Sequence, residues 1–237
     1  MKILAVDTAT RSCSVALMNE DHLVAEFTLV RRQTHSRHLM AMIADLLDAS
    51  GETPAAIDGF AVTHGPGSFT GLRIGSSTVK GLAEALQRPM AGVSTLAALA
   101  MQALPSDKLV CPVIDARRKE VYAGAYRFKN GVPNAVAEEQ VLAPEQVAAR
   151  FDEPCIYIGD GALLYRERLL KPDRDDEVSA IASVHVIHAA AVARLARQVF
   201  LSGFGRDPAD FVPTYLRKSD AERNRSTRSK GKISNIH

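Results

Sequence analysis

The sequence predicts an α/β fold made of two half-chain copies of one pattern, β-β-β-α-β-α. Three observations carry that reading. An apolar run ending in an aspartate opens each half, at residues 3–7 and 109–115. Each is followed by two more strand-like runs before helical periodicity sets in. A glycine-rich turn, Gly65-Pro66-Gly67-Ser68-Phe69-Thr70-Gly71, joins an apolar run to a helical one, as strand-to-helix junctions of α/β units do.

The elements follow in order. Residues 3–6, 13–18 and 23–30 read as strands, and the short turns between them make an antiparallel meander. Residues 35–49 have helical spacing, with Leu39, Ile43, Leu46 and Leu47 on one face and Thr34 and Ser36 as cap-type residues. A strand at 58–63, a helix at 70–86 and a strand at 90–93 come next. Ser94 can cap a further helix reaching Leu104. The second half repeats the order: strands at 109–115, 121–128 and 136–142, with a turn at Asn130-Gly131. A helix at 144–151, a strand at 155–158, a helix at 162–170 and an alanine-rich helix at 185–202 complete it. The predicted division is a first lobe over 1–104, a reduced second lobe over 105–217, and a basic polar tail over 218–237 that is expected to be mobile.

Composition narrows the class. With 46% hydrophobic and 24% charged residues, the 237-residue chain is an ordinary globular one. A net charge of +2 gives no general affinity for nucleic acid. No apolar run approaches membrane-span length, so no membrane association is expected. The start, Met1-Lys2-Ile3-Leu4-Ala5-Val6-Asp7, meets an acid too early for a signal peptide. Cys13, Cys111 and Cys155 are odd in number and far apart in sequence, which predicts reduced core thiols in a cytoplasmic protein.

The glycine-rich turn departs from the standard phosphate motifs. Leu72 and Arg73 follow Gly71 where a Walker loop needs lysine and a hydroxyl residue. Thr70 stands where a dinucleotide fingerprint needs its third glycine. Pro66 stands where a serine-hydrolase elbow around Ser68 needs its first. Three readings remain: an anion site at a helix start, close packing of another chain against bare backbone, or a tight turn whose glycines serve packing.

The duplicated pattern, with an aspartate ending each first strand, resembles the two-lobed actin-like, sugar-kinase-like ATPase fold. Several segments resemble one family more closely. They are residues 3–10, residues 13–17, Gly65-Pro66-Gly67-Ser68-Phe69-Thr70-Gly71-Leu72-Arg73-Ile74-Gly75, Gly92-Val93-Ser94-Thr95-Leu96, Asp115-Ala116-Arg117-Arg118-Lys119-Glu120-Val121-Tyr122 and Pro213-Thr214-Tyr215-Leu216-Arg217. By these the chain is identified as a member of the bacterial TsaB (YeaZ) family. The resemblance implies a role in threonylcarbamoylation of the adenosine 3′ of the anticodon, in tRNAs reading codons that start with A. It implies two protein partners, the catalytic paralogue TsaD and the small ATPase TsaE, with tRNA met through the complex. It also implies a chain without a transferase centre. The paralogue carries a His-x-x-x-His metal pair where this chain has Thr95 and Leu99, which cannot replace it.

Further expectations concern sites. Asp7, Thr8, Thr10 and Asp115 are the positions at which the superfamily would hold a nucleotide. The cations Arg117, Arg118 and Lys119 replace the glycine expected after Asp115, so ATP or ADP binding is expected to be weak and mainly a property of the complex. Gly159-Asp160-Gly161 reads as a relic of an adenosine site or as a strand-end turn. Helices 35–49 and 70–86 carry surplus apolar and small residues. They are the expected partner surface, through Leu39, Met42, Ile43, Leu46, Gly71, Ile74, Ser77, Thr78 and Gly81. The same surface could form a homodimer when the chain is alone. His35 with His38, and His185 with His188, lack the companions of a metal site, and none is expected. Arg117, Arg118, Lys119, Arg223, Arg225, Arg228, Lys230 and Lys232 could make auxiliary tRNA contacts. The alternatives to a non-catalytic subunit are a peptidase-like enzyme and a weak nucleotide-binding relative of the small-molecule kinases.

Overall fold

The computed structural model describes residues 1–31, 35–103 and 107–216. Thr34, Leu104, Arg217 and the tail 218–237 with its cations lie outside the described residues. Two five-stranded sheets form, and they share one topology. The first contains β1 (Lys2–Asp7), β2 (Ser12–Asn19), β3 (His22–Val30), β4 (Gly59–Gly65) and β5 (Met90–Ser94), in the order β3-β2-β1-β4-β5. The second contains β6 (Leu109–Asp115), β7 (Val121–Lys129), β8 (Val132–Leu142), β9 (Cys155–Ile158) and β10 (Glu177–Val178), in the order β10-β9-β6-β7-β8. Each strand of the second sheet thus occupies the place of its counterpart in the first. In both, the first three strands are antiparallel and the fourth pairs parallel to the first. The duplicated α/β fold read from the sequence is the fold observed.

The helices are α1 (Leu39–Ala49), α2 (Phe69–Leu86), α3 (Thr95–Ala100), α4 (Pro144–Ala149), α5 (Asp160–Leu164), α6 (Arg166–Leu169) and α7 (Ala189–Leu201). Strand periodicity explains where they pack. In β1, Leu4 and Val6 face α1 and α2, while Ile3 and Ala5 face the layer between the sheets. In β6, Val110 and Ile114 face that same middle layer, while Leu109, Cys111 and Val113 face α4 to α6. Both faces of both central strands are dry, which is why they read as unbroken apolar runs. Each leucine or valine so buried contributes about 1.5–3 kcal/mol.

Four details differ from the sequence reading. Residues His35–Arg37 form a 3₁₀ turn, and the α-helix begins at Leu39, after a His38 that offers no side-chain cap. The helix expected at 162–170 is split in two at Tyr165, whose φ of −116° breaks the run. The alanine-rich helix starts at Ala189, because His188 is extended and Ala182–His185 forms a separate 3₁₀ turn. That helix also leaves the half of the chain it belongs to: α7 packs on β1, β2, β4 and β5 of the first sheet. Its first N–H groups are taken up there, Ala189 by the Ser14 hydroxyl at 2.9 Å and Ala190 by the Glu26 carboxylate at 2.8 Å.

Two local readings hold. Ser94 caps α3, accepting from the Ala97 N–H at 3.1 Å. Asn130 and Gly131 both take left-handed conformations in the β7–β8 turn. All three cysteines are buried free thiols, but Cys111 and Cys155 are neighbours on adjacent strands of the second sheet. No helix among the described residues is long and apolar enough to cross a membrane.

Candidate functional site

The two strand-end aspartates lie on either side of a cleft between the sheets, and their loops are built differently. Asp7 is fully buried. Its Oδ1 accepts from the Thr63 hydroxyl at 2.7 Å and from the Ala9 N–H at 3.2 Å, and its Oδ2 is buried with no hydrogen-bond partner. Burial pushes its pKa up to about 7, against the lowering effect of those two hydrogen bonds. Thr8 is fully buried too, and its hydroxyl donates to the Gly71 carbonyl at 2.8 Å.

The glycine-rich turn explains this burial. The start of α2 lies directly on the loop that carries Thr8 and Ala9. A Cβ on Gly71 would overlap the Thr8 carbonyl oxygen, and one on Gly67 would overlap that of Ala9. The Ser68 N–H donates to the Ala9 carbonyl at 2.7 Å, and the Ser68 hydroxyl accepts from the Gly71 N–H at 3.2 Å. The turn's glycines therefore serve packing between loop and helix, and Ser68 serves as a helix cap.

The second loop is open and cationic. Asp115 ends β6 at the edge of the cleft, where its Oδ1 accepts from the Arg117 N–H at 2.9 Å. The Asp115 N–H donates to Asp160 Oδ1 at 3.0 Å. The Gly159-Asp160-Gly161 segment thus holds the Asp115 loop in place. Burial raises the Asp160 pKa, opposed by hydrogen bonds from the backbone of Asp115 and Gly161. Arg117, Arg118 and Lys119 all adopt left-handed backbone, with φ of 65°, 56° and 63°. Three such residues in a row, none of them glycine, cost about 1–2 kcal/mol each.

Between the loops lies a cavity of about 330 Å³. Thr10, Arg11, Ser68, Asp115, Arg117, Arg118 and Asp160 give it a polar side. Phe69 and Tyr215 give it an aromatic one, with ring centroids 4.9 Å apart and the Arg73 guanidinium 4.1 Å over Phe69. Tyr215 arrives on a returning segment that is pinned to the glycine-rich turn, where the Thr214 N–H donates to the His64 carbonyl at 2.8 Å. Of the four expected nucleotide positions, Thr10 and Asp115 line the cavity, whereas Asp7 and Thr8 lie sealed beneath it. Arg11, Phe69 and Asp160 were not singled out as site residues from the sequence. Only the Gly159-Asp160-Gly161 turn carried a signal, because no motif announces an arginine or a phenylalanine beside a cleft.

The expected partner surface divides in the same way. Leu39, Ile43 and Leu46 are buried in the core under α1, and Gly71 is buried against Thr8, so these four face inward. The surplus apolar surface assigned to α1 is largely core. Met42 and Ile74 are half-buried, Thr78 is half-buried, and Ser77 and Gly81 are exposed. Nothing lies within 4 Å of the space a Cβ on Gly81 would fill. Met40 adds an exposed side chain on α1.

Thr95 and Leu99 lie on α3 in the layer between the sheets, both buried. Among the described residues, no three His, Cys, Asp or Glu side chains gather as metal ligands. The His35 ring bonds the Thr10 carbonyl at 2.8 Å, and the His185 ring bonds backbone at Gly159 and Ser179.

A family model described as TsaD, tRNA N6-adenosine threonylcarbamoyltransferase, matches residues 22–224. The Bacillus subtilis tRNA threonylcarbamoyladenosine biosynthesis protein TsaB is 32% identical over 228 residues, covering 94% of this chain and 96% of that protein. The solved structure of YeaZ from Pseudomonas aeruginosa is 37% identical, with a TM-score of 0.78 over 91% of this chain and 99% of that one. A ROK hexokinase from Thermus thermophilus shares the fold at 12% identity and a TM-score of 0.50.

Proposed function

The chain belongs to the TsaB family, and we propose that it serves tRNA threonylcarbamoyladenosine biosynthesis as the subunit without a transferase centre. The modification is placed on the adenosine 3′ of the anticodon in tRNAs reading codons that start with A. The observation that carries the non-catalytic reading is the setting of Thr95 and Leu99. Both are packed in the apolar layer between the sheets, where the catalytic paralogue's metal pair would stand. A metal there would meet a methyl group and a lone hydroxyl.

The chain acts by docking the catalytic paralogue TsaD, with the ATPase TsaE joining the pair and tRNA reached through the assembly in the cytoplasm. The surface is the outer face of α1 and α2, reduced to the positions that reach solvent: Met42, Ile74, Ser77, Thr78 and Gly81, with Met40. The small side chains at 77 and 81 let a partner helix approach closely. Alone, the chain uses the same face to dimerise. The cleft takes ATP or ADP weakly, chiefly in the complex.

Reconstitution tests this. With threonylcarbamoyl-adenylate and tRNA, the chain alone yields no modified tRNA, and adding TsaD and TsaE with ATP yields it. Modified tRNA with this chain as the only protein would overturn the non-catalytic reading. Ser77→Arg buries an unpaired charge at the docking face and is expected to weaken co-purification with TsaD at least tenfold, while leaving the circular dichroism spectrum unchanged. Wild-type binding by that folded variant would move the interface elsewhere. A peptidase reading has less support, because Ser68 is engaged as a helix cap.

A further inference from the structure

The fold implies a metal-bound nucleotide held at the first-strand aspartate, and the residues here do not fit that group. Asp7 and Thr8 are fully buried, and the first turn of α2 fills the space beside them down to backbone contact. No room remains there for a phosphate or a hydrated cation. The cations of the cleft come from both loops, Arg11 from the first and Arg117 and Arg118 from the second, and all three line the cavity.

Two carboxylates share the cavity wall with those arginines, and Asp115 Oδ2 lies 3.7 Å from the Arg117 guanidinium. Asp160 holds the Asp115 N–H, and Asp115 holds the Arg117 N–H. The backbone at Arg117 and Arg118 adds a second observation. Glycine takes a left-handed conformation at no steric cost, yet two arginines stand there and both line the cavity. Guanidinium groups match phosphate oxygens by paired hydrogen bonds and need no bridging metal. Phe69 and Tyr215 line the same cavity, their rings tilted by 38° to each other.

We propose that the cleft binds the phosphate of a nucleotide unit through Arg11, Arg117 and Arg118, without a divalent cation, and with the base against Tyr215. This rests on the reading of the cleft as a weak nucleotide site and sets the chemistry of that site. The nucleotide unit comes either as a free nucleotide or as an unpaired nucleotide of an RNA chain.

The test is calorimetric titration of the full chain with ADP in EDTA, repeated with magnesium and with a short single-stranded oligoribonucleotide as competitor. ADP affinity is expected to agree within about twofold between EDTA and magnesium, a difference under about 0.5 kcal/mol. The double variant Arg117→Gly, Arg118→Gly is expected to lose at least tenfold, while its thermal midpoint rises because glycine relieves the left-handed turn. Lys119→Ala, in the same turn but not on the cavity wall, is expected to stay within about twofold. Competition by the oligoribonucleotide assigns the RNA source, and its failure to compete assigns the free nucleotide. ADP binding that requires magnesium would overturn the arginine-only chemistry and leave the nucleotide site standing. Unchanged affinity in the folded double-glycine variant would overturn the residues assigned. No binding of ADP or oligoribonucleotide in either buffer would overturn both the chemistry and the site.

Discussion

The loops that end β1 and β6 occupy equivalent places in two sheets of the same strand order, and they have opposite characters. The first is buried at Thr8 and Ala9, under a helix start whose glycines touch its backbone, and reaches the cavity only at Thr10 and Arg11. The second stands at the cleft edge, carries three cations and holds a left-handed turn. A duplicated topology has therefore kept its frame and divided its labour. The first loop gives Thr8 and Ala9 to the core, whereas Arg117 to Lys119 of the second stand at the surface. The difference lies in the helix that follows. α2 has 18 residues and its start lies on Thr8 and Ala9 of the first loop, whereas α5 has five and its start meets the second loop only at Asp115.

The comparison can be broken most forcefully at Gly71. Gly71→Ala pushes a methyl group into the Thr8 carbonyl and is expected to cost about 3 kcal/mol or more in urea denaturation. A cost below about 1 kcal/mol would mean that the first loop is not sealed by contact.

Asp7 provides the next test, through pH. Its pKa is raised from 3.8 unfolded to about 7 folded. The folded state therefore binds the proton more tightly than the unfolded state between those values. The protonated acid contributes its stability fully below about pH 4, and that contribution is lost as pH rises to about 7. The loss is on the order of 2–4 kcal/mol. Asp7→Asn is expected to flatten this part of the stability profile, read by denaturation across pH. Asp115→Asn, at the open loop, is expected to leave it in place. A profile that keeps its slope in Asp7→Asn would assign the titration to another group.

The smallest effect sharpens the comparison from the other side. Arg117→Gly removes a left-handed arginine and is expected to stabilise the chain by about 1 kcal/mol, seen as a higher thermal midpoint. Destabilisation would mean that the Arg117 side chain holds the loop, as its 3.7 Å approach to Asp115 would allow.

The frame was legible because strand order follows from local pattern. Val110 and Ile114 face one way and Leu109, Cys111 and Val113 the other, and a run dry on both faces reads as a central strand. The caps at Ser94 and the turn at Asn130-Gly131 were legible for the same reason, since their chemistry is local. What was illegible depended on distance. That Leu39, Ile43 and Leu46 face the core while Ser77 faces solvent is a matter of how α1 and α2 rotate against one sheet. The left-handed turn at 117–119 has no propensity behind it, because arginine and lysine disfavour it everywhere. The two-residue β10 is too short for periodicity to mark. The meeting of Phe69 with Tyr215 joins segments far apart in sequence.

The return of α7 to the first sheet has a consequence for how the protein is made. The inner face of that sheet, with Ile3, Ala5, Ala16 and Ala61, is covered by Val192, Ala193 and Ala196. Those residues are synthesised long after the strands they cover. The N-terminal sheet must wait with one apolar face uncovered, its strands paired but its interior unfinished. Its last contacts join residues far apart in sequence, which slows their formation through the entropy of closing so long a loop. Ser14 and Glu26, which receive the first N–H groups of α7, are the docking points at which that wait ends.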